Sequence, residues 1–323
     1  MKNFWTKLPK PFFVLAPMAE VTDAAFRQVI AKYGKPDVFY TEFVSADGLN
    51  SRGRDKLMID LKFSRKEKPI VAQLFGHNPE TIKSAATLCK KLGFDGIDLN
   101  MGCPEKNICH SGHGAAMIKN PKLAREVIRA AVDGASGLPV SVKTRLGYYK
   151  KEEMEVFLPA ILQENLAAVA IHARTKKEMS KVPADWSSIK RAVEIRNEQG
   201  SQALIIGNGD VMNLEEARVR VKETGCDGVM IGRGIFGDPW LFNKKIKKEN
   251  VSLKKQFKVM IKHTQLFEKY LLKDKKFDIM KKHFKAYVTG FDGAKELRME
   301  LMAAKNSKEI AKIIRNFQSN TKK

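Results

Sequence analysis

Between Asp95 and Pro121 the chain reads DGIDLNMGCPEKNICHSGHGAAMIKNP, and this stretch holds the side chain best suited to acid–base or nucleophilic chemistry, Cys103. A short apolar run, Gly96 to Leu99, leads into Asn100-Met101-Gly102-Cys103-Pro104 and then a loop with glycines at 112 and 114. Gly102 permits a sharp backbone turn and Pro104 fixes its exit, so the pattern predicts a thiol held on an elbow at the end of a strand. A thiol placed there gives or takes a proton, or attacks an electrophile. Most free cysteines are small buried hydrophobes, and Cys89 and Cys226, in apolar surroundings, read that way. Cys109 stands open between the two readings.

Other polar residues fall at the ends of similar apolar runs. Pro17 and Met18 follow Val14-Leu15-Ala16, and Gln73 lies in Ile70 to Leu74. Lys143 and Arg145 end a run that starts at Val140, while His172 and Arg174 end one that starts at Val169. Two more runs finish in Gly207-Asn208-Gly209-Asp210 and Gly232-Arg233-Gly234. An unpaired ammonium on a buried strand is costly, which makes Lys143 a functional candidate; His172 on its own is equally a core histidine. The two glycine-bearing loops, with the Arg233 guanidinium, suit a phosphate. A phosphate clamp beside a lysine, a histidine, a glutamine and a proton-donating thiol suits flavin mononucleotide (FMN), because donors near the flavin's pyrimidine edge stabilise its anionic reduced form. No metal is expected: the four cysteines form no CxxC pair, and His110 and His113 match no common ligand spacing.

The elements that must position these residues are repeated strand–helix units. Short runs rich in Val, Ile, Leu or Phe occur at Val14-Leu15-Ala16, Val38-Phe39-Tyr40, Ile70 to Leu74, Ile97-Asp98-Leu99, Val140 to Lys143, Val169 to His172, Leu204-Ile205-Ile206 and Val229-Met230-Ile231. Helix signals lie between them: Thr22 or Asp23 before a helix to Tyr33, Asn78-Pro79 before one to Leu92, and Asn120-Pro121 before another to Ala131. Eight such units predict an α/β chain closed into a (β/α)8 TIM barrel, with its site at the C-terminal ends of the strands. After Pro239 long Lys, Phe, Leu and Ile segments take over, so the expected division is a catalytic barrel over 1–242 and a smaller all-helical domain over 243–323.

Composition narrows the partner. Net charge is +23, and from Leu241 onward 23 Lys and Arg face only 8 Asp and Glu. A surface of that kind suits a polyanion, although a generally lysine-rich protein would show it too. No apolar run reaches the length of a membrane span, and prolines at 9, 11 and 17 interrupt the only run near the N-terminus, so a cytoplasmic protein with no membrane role is expected. No protein partner is predicted.

Taken together and in order, these pieces resemble the tRNA-dihydrouridine synthases over nearly the whole chain. The matching segments are Ala16-Pro17-Met18-Ala19 with Val21-Thr22-Asp23, Thr41-Glu42, Val71 to Gly76, Asp98 to Pro104, Val142 to Arg145, His172 to Thr175, Ala184-Asp185-Trp186, Gly207 to Asp210 and Gly232-Arg233-Gly234, with Lys282-His283-Phe284 and Glu296-Leu297-Arg298 in the tail. The resemblance implies an FMN-containing barrel followed by a helical tRNA-binding domain. It implies reduction of the C5–C6 bond of particular uridines, with NADPH reducing the flavin, a hydride passing from flavin N5 to C6, and Cys103 protonating C5. Pro17, Met18, Gln73, Lys143, His172, Asn208, Gly209, Gly232 and Arg233 would then hold FMN, and Asn100, Arg145 and Arg174 would face the uridine.

The chain departs from the family pattern at several points. Glu20 stands where a glycine is usual, and Glu178, Ser180 and Val182 stand at the usual Gln, Tyr and Gly positions between Thr175 and Trp186. Cys109 and His113 are also unusual in the loop after Cys103. Two further readings fit parts of the pattern. One is a dihydroorotate-dehydrogenase-like FMN enzyme acting on a free pyrimidine, against which the basic tail argues. The other is an RNA-binding barrel without catalysis, against which the retention of Cys103, Lys143 and His172 argues.

Overall fold

The computed structural model describes residues 3–320. Eight parallel strands, β1 (Phe12–Leu15), β2 (Phe39–Ser45), β3 (Ile70–Phe75), β4 (Gly96–Met101), β5 (Val140–Arg145), β6 (Ala168–His172), β7 (Leu204–Asn208) and β8 (Gly228–Ile231), form one sheet in the order β1-β8-β7-β6-β5-β4-β3-β2. The sheet closes on itself where β1 meets the residue ahead of β2. An isolated parallel bridge joins Val14 to Val38, and Leu15 N donates to Val38 O at 3.2 Å. Every apolar run singled out in the sequence is one of these strands.

Side chains alternate between the two faces of a strand, and the barrel sorts them accordingly. Phe12, Val14, Tyr40, Val71, Ala168, Ala170, Ile206 and Met230 form an inner cluster, with Trp5 against Phe12 where the strands begin. Phe13, Leu15, Ala72, Leu74, Val142, Val169, Ile171 and Ile205 belong to the larger cluster beneath the helices. Two residues further along the inward rows come Ala16, Gln73, Lys143, His172, Asn208 and Gly232. Asn100 pairs with Lys143 and His172 with Asn208, while Gln73 pairs with Asp98 one layer lower and Lys143 with Ala170, so the rows end in a staggered ring. The inward rows of six strands therefore end at or just beneath the C-terminal mouth.

The capping signals act as their chemistry requires. Asp23, and not Thr22, caps the helix Ala24–Tyr33, accepting from Phe26 N at 2.9 Å, while the Thr22 hydroxyl accepts from Met18 N. Asn78 caps Pro79–Lys91 and Asn120 caps Pro121–Ala135, each with proline in the first turn.

The C-terminal region contributes the helices Leu253–Tyr270, Met280–Tyr287, Ala294–Ala303 and Ser307–Asn320. It docks on the helix Ala24–Tyr33, where the Phe26 ring lies 4.9 Å from His263 and 4.6 Å from His283. At the edge of this seam Lys275 reaches Glu42 at 2.7 Å and Asp60 at 2.6 Å, and Lys282 pairs with Glu20. Among the described residues no helix is long and apolar enough to cross a membrane.

Candidate active site

The barrel mouth holds a cavity of about 280 Å³. Pro17, Met18, Lys143, Arg145, His172, Asn208, Gly209, Gly232 and Arg233 line it, together with Pro104, Met179, Ser180 and Asp210. Gln73, Asn100, Cys103 and Arg174 lie beside or beneath it, outside its lining.

Beneath the cavity runs a buried polar layer that supports the thiol. The Ser141 hydroxyl and the Gln73 amide donate to the two oxygens of Asp98, at 2.6 and 2.7 Å. Burial pushes the Asp98 carboxyl up to about 6, while these two donors and the nearby Lys143 ammonium favour its ionised form. Because an ionised carboxylate only accepts, the Gln73 amide must face it with its NH₂ group, leaving Oε1 to accept from Asn100 Nδ2 at 3.1 Å. Asn100 Oδ1 then accepts from both Gly102 N (3.1 Å) and Cys103 N (2.9 Å). The elbow is thus tied to β4 by a side chain.

Gly102 is needed for a different reason from the one its position suggested. A Cβ there would lie 3.0 Å from the Thr144 carbonyl carbon, so glycine serves close approach to β5 rather than a sharp turn.

Burial raises the Cys103 pKa, which keeps the half-buried thiol protonated at neutral pH, the form required of an acid. Cys109 resolves as a support: it is buried, and its S–H donates to Cys103 O at 3.3 Å. His113, farther along the same loop, has Nε2 at 2.8 Å from His77 Nδ1 and 3.4 Å from Asp47.

The opposite wall is cationic. Lys143 has no hydrogen-bond or ion-pair partner among the described residues. Burial, then the Arg145 charge, brings it down to about 8, and Asp98 opposes that shift, so it is still charged at neutral pH. Arg145, lowered to about 10 mainly by burial, donates to Gly102 O (2.8 Å), Thr175 O (3.1 Å) and Met179 O (3.2 Å). It therefore ties the thiol's elbow to the loop after β6. Burial and four surrounding cations hold the His172 pKa far below its ordinary value, so the ring is neutral.

Asp210 was visible in the sequence only as the end of a loop motif. In the structure its carboxylate joins two arginines, accepting from Arg233 at 2.6 Å on one oxygen and from Arg174 on the other, with Ala184 N at 2.9 Å. This role became apparent only once β6, β7 and β8 were neighbours. Gly209 beside it adopts φ 136°, and a Cβ would lie 2.8 Å from that of Ala184. Trp186 donates its indole N–H to Gly209 O at 3.0 Å. Arg174 is buried and directed at Val182 O (2.6 Å), His172 Nε2 (3.2 Å) and Asp210.

The departures after β6 have a local logic. Glu178 accepts from Thr175 N at 2.7 Å, and Thr175 Oγ1 accepts from Glu178 N at 3.2 Å, so the pair closes the loop reciprocally. Met179 and Ser180 are thereby turned to the cavity.

The chain matches the dihydrouridine synthase (Dus) family over residues 14–322. The chain belongs to the dihydrouridine synthase family. This makes it an enzyme of the flavin-dependent oxidoreductase class. A probable tRNA-dihydrouridine synthase of Staphylococcus aureus (strain COL) is 41% identical over 98% of this chain and 96% of its own length. Probable tRNA-dihydrouridine synthase 2 of Bacillus subtilis (strain 168) is 40% identical over 98% and 97%. Among solved structures, the histamine dehydrogenase of Rhizobium sp. 4-9 superposes with a TM-score of 0.52 at 16% identity, over 79% of this chain and 48% of that one. A 2-naphthoyl-CoA reductase superposes at 0.54 and 10% identity, over 72% and 49%. Those two share the fold, and this chain spans about half the length of each.

Proposed function

We propose that this family member reduces uridines in tRNA to 5,6-dihydrouridine, using FMN as its flavin and NADPH as reductant. The observation that carries the reading is the Lys143 ammonium, charged, without a partner among the described residues and facing the cavity at the level of Asn100, whose side chain holds the thiol's elbow. A strand lysine left in that state is suited to an anionic ligand.

The residues present fit FMN. Asn208-Gly209 and Gly232-Arg233 suit the phosphate end, Lys143 and neutral His172 the polar edge of the ring, and Pro17 and Met18 its apolar surface. Gln73 contributes through Asp98 and Asn100, since its amide is engaged with both. When bound and reduced, FMN supplies the hydride for C6 of the uracil. Cys103 holds the proton for C5, its acidity suppressed by burial until a base is presented. Asn100 fixes the elbow, and Arg145 keeps it against the loop after β6.

The uracil must be turned out of folded RNA, which costs unpairing and unstacking that phosphate contacts offset. The basic helical region 243–323 supplies such contacts in this reading, and with them affinity more than sequence choice.

The test is anaerobic. The NADPH-reduced protein is mixed separately with unmodified tRNA and with orotate while flavin absorbance is followed. Reoxidation by tRNA alone, with dihydrouridine appearing in the RNA, is expected; reoxidation by orotate alone would move the chain to enzymes of free pyrimidines. A colourless protein that takes up no FMN yet binds tRNA would make the barrel a scaffold. Cys103→Ala should keep FMN and lose about 10²- to 10⁴-fold in turnover, and an unchanged rate would remove Cys103 as the proton donor.

A further inference from the structure

His172 lines the cavity with a neutral ring, and a neutral imidazole has one donor and one acceptor nitrogen. Which is which decides what the ring offers a ligand. Nε2 lies 3.2 Å from an Arg174 guanidinium nitrogen, and a guanidinium can only donate. Nε2 must therefore be the acceptor, and the proton belongs on Nδ1. Nδ1 has no hydrogen-bond partner among the described residues, yet it is absent from the polar atoms sealed without one, so it opens to the cavity.

Arg174 is itself held on every side. It is 3% exposed, donates through Nε to Val182 O at 2.6 Å, and is paired through its other terminal nitrogen with Asp210. Asp210 also binds Arg233. From this geometry we infer that Arg174 is a positioning residue rather than a substrate contact: it fixes His172 as the Nδ1–H tautomer, so the cavity meets a neutral N–H donor at this point. Asp210 holds Arg174 in place and ties that choice to the loop bearing Arg233. A ligand with a hydrogen-bond acceptor facing His172 is favoured, and one presenting a donor there is disfavoured. The inference goes beyond the proposed reaction and does not depend on tRNA being the substrate.

The experiment is a long-range ¹H–¹⁵N spectrum of the histidine side chains in the full-length protein at neutral pH, which distinguishes the two tautomers directly. The chain has six histidines, and His172→Asn identifies the signal. The expected result is Nδ1 protonated and Nε2 bare in the unsubstituted protein. In Arg174→Met the donor to Nε2 is gone, and the signal should become a mixture of tautomers or pass to Nε2–H. An Nε2–H ring in the unsubstituted protein would overturn the inference whether or not the variant folds. A folded Arg174→Met protein that keeps a pure Nδ1–H ring would overturn it too, because an arginine that merely supports the loop would leave the tautomer unmoved. Failure of the tRNA assay would leave this spectrum unchanged, so the two conclusions fail separately.

Discussion

The cavity and the seam between barrel and helical region use the same residue types in opposite ways. In the cavity, among the described residues, His172 keeps an open ring nitrogen and Lys143 an unpaired ammonium. In the seam His263 and His283 are fully buried among Phe26 and Tyr287, and Lys275 is satisfied by two carboxylates. All three histidines are held neutral by burial. Neutrality therefore does not mark a functional histidine here. What distinguishes His172 is access: a polar atom that no described residue uses and that solvent can reach.

The largest stability effect expected from perturbing this contrast is at Lys275. Lys275→Met leaves Glu42 and Asp60 without their partner and should lower unfolding free energy by about 3 kcal/mol in a denaturant titration. An unchanged midpoint would mean the seam does not rely on this pair.

Lys143→Met should do the reverse. Removing an unpaired cation raises the stability of the flavin-free protein by about 1 kcal/mol while weakening FMN binding about 10- to 100-fold, the worth of a charge-assisted hydrogen bond. The pH dependence follows from its lowered pKa. The folded protein suffers the full penalty below about pH 8 and is relieved as pH rises toward the unfolded value, so the variant's advantage should shrink above pH 8. A loss of stability together with intact FMN binding would make Lys143 structural.

His283→Phe tests the sealed histidines. Both ring nitrogens of His283 are buried without partners among the described residues, so at pH 7 the variant should be slightly more stable. The His283 pKa is lowered to about 3, and its folded form binds fewer protons than the unfolded chain. Unsubstituted protein therefore loses stability as pH falls below about 6.5, and the difference between the two should widen by roughly 2 kcal/mol by pH 5. Asp23, raised to about 6 and close to Tyr287, acts with the opposite sign in both proteins and cancels from the difference. Parallel acid limbs for the two proteins would show that His283 does not contribute.

The smallest effect belongs to Glu20, a non-glycine residue at φ 55°. Glu20→Gly removes backbone strain but also the exposed pair with Lys282, two contributions of about 1 kcal/mol or less. A change in midpoint within about 1 kcal/mol is expected, and a larger loss would give the surface pair unexpected weight.

How much of this was legible in the sequence follows from the range of the interactions. The strands, the caps at Asp23, Asn78 and Asn120, and the inward row ending in Lys143, His172 and Asn208 are local or periodic, and all could be read. The supports could not. Asp98 receives Ser141 from 43 positions away, and Lys275 meets Glu42 across 233 positions. No periodicity encodes such pairings. Arg174 illustrates the limit: its place at a strand end was readable, but its direction depended on Val182 and Asp210 in loops whose course the sequence leaves open.

The closure of the barrel at Val14 and Val38 bears on how the molecule is made. That junction is a single bridge, whereas the other neighbouring strands share longer ladders, and the crossover helix joining β1 to β2 carries Phe26 on the face covered by His263 and His283. During synthesis the first crossover leaves the ribosome about 250 residues before the rings that cover it. Until then the face of Phe26 that those rings cover stays unmatched. Residues translated long after the first crossover thus complete the first unit of the fold.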